Sequence, residues 1–201
     1  MAKKLIRFIY VIENTMKLPP TKGYLLIAEP SIMGDVSFNR SVVLLADHND
    51  QGTVGFIMNK PLEQKLNDFI PFLTRNDLPI FNGGPVEQDN IYFIHTVPDL
   101  IKDSTEIASG IFWGGDFDTV IQLIENDQIK PEEVQFFLGY SGWDAQQLNQ
   151  ELQEKTWVVV ENNYEETILT KCYQKLWREK IIELGGDYIL WSNAPEHPHY
   201  N

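Results

Sequence analysis

The chain has 201 residues, 43% of them apolar, enough to bury one core without disulfides or a metal, so a single domain is expected. A formal net charge of −13 repels phosphate and disfavours direct binding to nucleic acid. No apolar run approaches the ~20 residues needed to cross a bilayer, which argues against a membrane-embedded protein.

Near the N-terminus, Lys3, Lys4 and Arg7 precede or interrupt an apolar run over residues 8–12. The pattern faintly imitates a secretory signal, but no small-residue cleavage site follows it. The stretch therefore reads as an ordered arm or strand, with an arm over 1–22 ahead of a domain over 23–201. Removing these three cations from the total of −13 leaves about −16 on the rest, so the arm holds the one basic cluster, a weak grip for DNA.

Residues 24–28 read as a strand stopped by Pro30, residues 31–40 as a loop, and 41–46 as a second strand with apolar residues on both faces. The polar stretch 47–52 predicts a longer hairpin loop before a strand over 53–58. Leu62, Leu66, Phe69 and Ile70 are spaced as one face of a short helix ended by Pro71. Ile80 and Phe81 lead into a constrained turn at Asn82-Gly83-Gly84-Pro85, and strands are predicted over 91–97 and 111–113. Asp116 is placed to cap a helix whose apolar stripe is Phe117, Val120, Leu123 and Ile124.

Residues 136–160 form the central unit. Phe136, Phe137 and Leu138 predict a short buried strand, residues 139–143 a tight turn, and Asp144 a cap. Ala145, Leu148 and Leu152 mark one face of an amphipathic helix, with Glu151 and its polar neighbours turned to water, and residues 157–160 return as a strand. Trp143 and Trp157 are the expected buried anchors. Leu169, Tyr173, Leu176, Trp177, Ile181 and Leu184 predict the longest helix, stopped by Gly185-Gly186, and residues 193–201 an irregular tail. The single Cys172 falls inside that helical pattern and reads as a core thiol of a reduced, cytoplasmic protein.

Several of these segments are distinctive as strings: GYLLIAEP at 23–30, FNRSVVLL at 38–45, His48, GFIMNKP at 55–61, GGPV at 83–86, GGDF at 114–117 and GYSGW at 139–143. From Gly23 onward the chain resembles the AlgH/YqgE family of bacterial proteins. It departs from the family pattern at Gln146, where glycine is usual, and at His197, where aspartate is usual. The resemblance implies an α+β fold in one compact domain, with a strongly bent, barrel-like mixed β-sheet flanked by helices. Members are labelled transcriptional regulators, and no catalytic residues come with the resemblance. The acidic charge makes any such regulation indirect.

GYSGW lacks the glycine that a hydrolase nucleophile elbow needs where Trp143 stands, so Ser141 reads as structural. His48, with Asp47 and Asp50 beside it, is the best candidate for proton transfer or anion binding. Asp35, Arg40 and Asn59 are its expected neighbours if the loop at 31–40 folds against the hairpin. Gly83, Gly84 and Pro85 complete the candidate patch, the glycine N–H groups as backbone donors to an anion, weighed against a purely structural turn. Gly114-Gly115-Asp116 precedes a helix, but Asp116 opposes a phosphate and favours capping. His95 reads as a core histidine, and His197 and His199 lack the partners of a metal site, so neither cofactor nor metal is expected. The leading expectation is a non-enzymatic module that binds a protein partner or small ligand. The alternative is a hydrolase-type enzyme with its site near His48.

Overall fold

The computed structural model describes residues 18–30, 37–75 and 77–193; residues 1–17 of the predicted arm, Asp35 and the end of the tail lie outside them. The apolar runs become strands β1 (Leu25–Ala28), β2 (Val42–Asn49), β3 (Gly52–Ile57), β4 (Pro61–Lys65) and β5 (Pro79–Asn82). They continue as β6 (Val86–His95), β7 (Thr105–Ala108), β8 (Ile111–Trp113), β9 (Val134–Asp144) and β10 (Trp157–Val160). The main path runs β10-β1-β2-β3-β9-β6-β8-β7; β5 lies parallel to β9 and antiparallel to β4, so the sheet is mixed. It is strongly bent without closing into a barrel. A Cβ on Gly23, just before β1, would stand 2.4 Å from the Cβ of Ala108 in β7, which shows how far the sheet curls back.

Five α-helices stand among the described residues: α1 (Leu66–Phe69), α2 (Phe117–Glu125), α3 (Gln147–Gln153), α4 (Tyr173–Leu184) and α5 (Tyr188–Trp191). Strand β2 explains why its sequence is apolar without alternation. Val42, Leu44 and Ala46 join the core beneath α4, whereas Val43 and Leu45 join the one beneath α3. A third cluster packs Val120, Ile121 and Ile124 of α2 against Phe93 and Phe136. Trp177 of α4 donates its indole N–H to the Ala28 carbonyl at 2.9 Å, and the ammonium of Lys180, itself buried, lies 4.0 Å from the Tyr164 ring centroid.

Several local expectations are corrected. The segment 139–143 is not a turn but the middle of β9, which changes neighbours there: residues 136–138 pair with β5 and residues 141–144 with β3. Gly139 sits at the switch with φ 65°, a conformation glycine adopts without strain. The predicted loop at 47–52 is mostly ladder, since β2 and β3 pair out to Asn49 and Gly52. Residues 61–65 form a strand, leaving one helical turn at α1 where a longer helix face was expected. Helix α4 begins at Tyr173 behind a separate 3-10 turn over Glu165–Thr170. Cys172 occupies the N-cap position of α4 and is exposed, not a core thiol. Asp144 does not cap α3; the N-cap is Gln146, in the left-handed region at φ 69°, which gives a physical reason for glycine at this place in the resembled pattern. Asp116 caps α2 as expected, its Oδ1 accepting the Thr119 N–H at 2.8 Å.

His95 is fully buried at the end of β6, with Nδ1 accepting the Val97 N–H and Nε2 3.2 Å from the Gly114 carbonyl. That pattern places the ring proton on Nε2. Burial lowers its pKa below the ordinary 6.5, partly opposed by the Gly114 bond. The unfolded chain therefore takes up this proton before the folded one does. Stability is expected to decline as pH falls below about 6.5 and to stop declining on this account below the folded pKa. Urea unfolding between neutral and mildly acidic pH, repeated on His95→Gln, checks it: the variant should lose part of the slope.

Candidate interaction surface

The predicted patch divides in two. Asn59 accepts the Val42 N–H at its Oδ1 (2.8 Å) and donates from Nδ2 to the Arg40 carbonyl (2.9 Å), fixing the entry to β2. The Arg40 guanidinium lies over the Trp177 ring, 5.0 Å from its centroid. Gly83 stands close by, its carbonyl accepting the Ile57 N–H at 3.1 Å. His48 is at the other end of β2, six residues beyond Val42, or roughly 20 Å along an extended strand. Its Nδ1 lies 2.7 Å from the Thr53 hydroxyl across the ladder, while the neighbouring Asp47 carboxylate accepts from Asn49. Alternation along the strand turns Asp47 and His48 to opposite faces.

The paired glycines face backbone rather than solvent. The Gly83 N–H donates to the Leu138 carbonyl (2.9 Å) and the Gly84 N–H to Asn82 Oδ1 (3.0 Å), so both amides already have acceptors. Pro85 is exposed beside them. Ser141 is fully buried, and its hydroxyl donates to the Gly83 carbonyl at 3.0 Å, a bond that ties β9 to the end of β5. Among the described residues no cluster of three or more His, Cys, Asp or Glu is arranged to hold a metal ion, and no helix is long and apolar enough to cross a membrane.

What composition and spacing did not locate is an open trough between α3 and α5. Its floor is β10, and Leu152, Tyr188, Leu18 and Pro20 stand along its sides. Three carboxylates, Glu29, Asp50 and Glu161, and one ammonium, Lys155, line it among the described residues. The Tyr188 hydroxyl donates to Glu29, and burial first, then that carboxylate, pushes its pKa above the ordinary range.

β10 ends the sheet, and its ladder with β1 determines which backbone groups point into the trough. The Glu29 N–H donates to the Thr156 carbonyl at 3.0 Å, and the register runs Ala28 opposite Trp157 and Ile27 opposite Val158. Alternation in an antiparallel pair then aims Val158 and Val160 at β1 and the N–H and C=O groups of Trp157 and Val159 outward. No strand among the described residues pairs with that outer edge. Beyond Tyr188, α5 carries three large apolar residues in succession, Ile189, Leu190 and Trp191, which are 48%, 77% and 40% exposed.

One wall of the trough is held by a contact that the sequence pattern missed. Glu151, predicted to face water, accepts the indole N–H of Trp143 (2.9 Å) and of Trp157 (2.8 Å) on a single oxygen, Oε2, while Gln147 donates to its Oε1. Phe38 stacks on Trp143 and meets Trp157 edge-on, with centroids 6.0 and 5.2 Å away. Two tryptophans and a glutamate within fifteen residues were a usable signal, because a buried indole needs an acceptor.

A family model described as AlgH-like matches residues 25–189. A UPF0301 protein of Chlorobaculum parvum is 42% identical over 179 residues, covering 89% of this chain and 95% of that one. A UPF0301 protein of Bacteroides fragilis is 40% identical over 185 residues, covering 90% and 92%. Among solved structures, the solution structure of the AlgH protein from Pseudomonas aeruginosa superposes with a TM-score of 0.67 at 27% identity, covering 91% of this chain and all of that one. A crystal structure of a Corynebacterium diphtheriae protein, 20% identical, shares the fold with a TM-score of 0.69 over 92% of this chain and 97% of its own.

Proposed function

The chain belongs to the AlgH-like family, and on that premise we propose that it is a non-catalytic binding module that takes an extended, cationic segment of a protein partner along the outer edge of β10. The observation that carries this reading is the outward row of backbone donors and acceptors at Trp157 and Val159, lying along the floor of an open trough. Strand addition to such an edge gains affinity from main-chain hydrogen bonds and selectivity from side-chain pockets. Three carboxylates against one ammonium favour a basic segment. The exposed apolar residues of α5 extend the contact area beyond the trough. On this reading any effect on transcription passes through the partner, since a net charge of −13 opposes contact with DNA.

Val159→Pro tests it. The outward N–H is the one proline removes, so the ladder to β1 keeps its bonds and the substitution falls where edge strands accept proline. Peptides selected from a random display library on the wild-type protein are expected to be extended and basic. They should bind Val159→Pro at least about tenfold more weakly, the worth of one or two lost hydrogen bonds. Selected peptides that bind the folded variant equally well would remove the β10 edge as the site.

A further inference from the structure

The N-terminal apolar run that follows Lys3 and Lys4 lies outside the described residues, and the chain beyond it reaches them at the β10 trough. Leu18, the first described residue, is half-buried against the cluster beneath α3 and lines the trough with Pro19 and Pro20. The trough holds about 2010 Å³, well above the ~1,000 Å³ at which small-molecule pockets end, so it suits a length of polypeptide. Both of its faces are apolar. Trp157 and Val159 of β10 belong to the cluster that Leu18 and Leu152 join, while Val158 and Val160 pack with Leu184 and Tyr188 on the other face. A strand added to the outer edge therefore meets apolar side chains above and below, and one that alternates apolar with polar residues would not suit it. An open edge lined in this way invites unwanted pairing unless the chain covers it.

Residues 5–12, LIRFIYVI, have the composition such an edge requires. They are aliphatic or aromatic throughout except for Arg7, rich in strand formers and free of proline and glycine. Lys3, Lys4 and Arg7 supply the positive charge that Glu29, Asp50 and Glu161 favour. The five residues between Ile12 and Leu18 span at most roughly 17 Å when extended, more than the roughly 13 Å length of the four-residue β10, so the run can lie beside that strand. Tethering decides which molecule supplies it. A segment on so short a linker meets the edge at an effective concentration in the millimolar range, which a second copy at about micromolar concentration does not match. We propose that residues 5–12 add to the outer edge of β10 of their own chain as a further strand, an intrasteric cover that the partner's basic segment must displace. The inference rests on the reading of that edge as the docking site.

Amide hydrogen exchange on the full-length chain tests it. The Trp157 and Val159 N–H groups, which point away from β1, are expected to be protected in the wild type. Ile9→Pro combined with Tyr10→Pro removes one inward-facing donor whichever register the run takes, because neighbouring residues of a strand point their N–H groups to opposite sides. Exchange at Trp157 and Val159 should then quicken at least about tenfold, while Val158 and Val160, paired with β1, keep their rates. Lys3→Glu with Lys4→Glu and Arg7→Glu, which leaves the backbone donors in place, should quicken it about threefold. Peptides selected on the wild type should bind the double-proline variant at least about tenfold more tightly, since the cover no longer competes with them. Unprotected Trp157 and Val159 amides in the wild type, or protection that outlasts the double-proline substitution, would overturn the proposal. So would protection that rises with protein concentration together with a dimer mass in sedimentation, the mark of a second copy's run. The two readings fail separately: protection at Val159 that depends on residues 9 and 10 upholds the cover even if the selected peptides ignore Val159→Pro, and an unprotected Val159 removes it even if they obey.

Discussion

Replacing Glu151 by leucine is expected to lower the unfolding free energy by about 3 kcal/mol, the combined worth of two hydrogen bonds to a charged acceptor discounted for their shared oxygen. The indoles of Trp143 and Trp157 are 5% and 3% exposed as residues, and both reach the same carboxylate oxygen. Leucine leaves both donors unpaired where water has little access, and burying a polar group without a partner is what makes such losses large. For a domain of this size the midpoint of thermal unfolding should fall by roughly 6–12 °C. Glu151→Gln keeps an oxygen that accepts and should lose no more than about half as much. Urea unfolding followed by tryptophan fluorescence measures both. A loss below about 1 kcal/mol for Glu151→Leu would show that the indoles find other partners. Because Trp157 is also the first residue of β10, the same variant should loosen the trough, which amide exchange at Val159 would register.

Gly83→Ala should be more damaging still. A Cβ there would stand 2.1 Å from the Gly139 carbonyl oxygen and 3.0 Å from both its carbon and the Cβ of Phe137. The obstacle is backbone of β9, the strand on which the rest of the sheet is built, so no side-chain rotation relieves it. Relief requires β5 to move off β9, breaking the parallel pairing at Ile80, Phe81 and Asn82 and the Ser141 bond to the Gly83 carbonyl. We expect a loss of at least about 4 kcal/mol, seen as insoluble expression or a non-cooperative transition. Gly110→Ala is the comparison: its φ is 82°, but a Cβ there meets nothing within 4 Å. It should lose only about 1–2 kcal/mol, the left-handed penalty alone. If the two variants unfold alike, contact with β9 is not what fixes glycine at position 83.

Much of the strand content was legible because alternation and β-branched runs are local properties. Residues 24–28, 41–46, 53–58 and 157–160 lie in or at strands for the reason their composition suggests, since apolar residues on both faces match a sheet covered on both sides by helices. Residues 139–143 were misread for an equally physical reason. Two glycines with a serine between them are turn-formers in isolation, and nothing local says that β9 exchanges β5 for β3 at that place. Leu62 likewise fits the start of a helix face that continues at Leu66, Phe69 and Ile70, but pairing with β5 drew residues 61–65 into a strand instead.

The candidate site divides along the same line. Spacing drew His48 and Arg40 into one patch because only eight residues separate them, yet an extended strand carries them to opposite ends of the sheet. Glu151 was placed in water because a helical wheel knows the helix and not the two indoles that fold over it. By itself the amino-acid order determined the positions of most strands and the sign of the protein's field, since these depend on composition and on periods of two and 3.6 residues, whereas the fold class was implied by the resemblance of its motifs to a known family. The tertiary structure alone decided which strand lies at the edge, which of its backbone groups face outward and which two indoles share the Glu151 carboxylate. Those are relations between separate elements, and they are set by register and packing, which local periodicity does not encode.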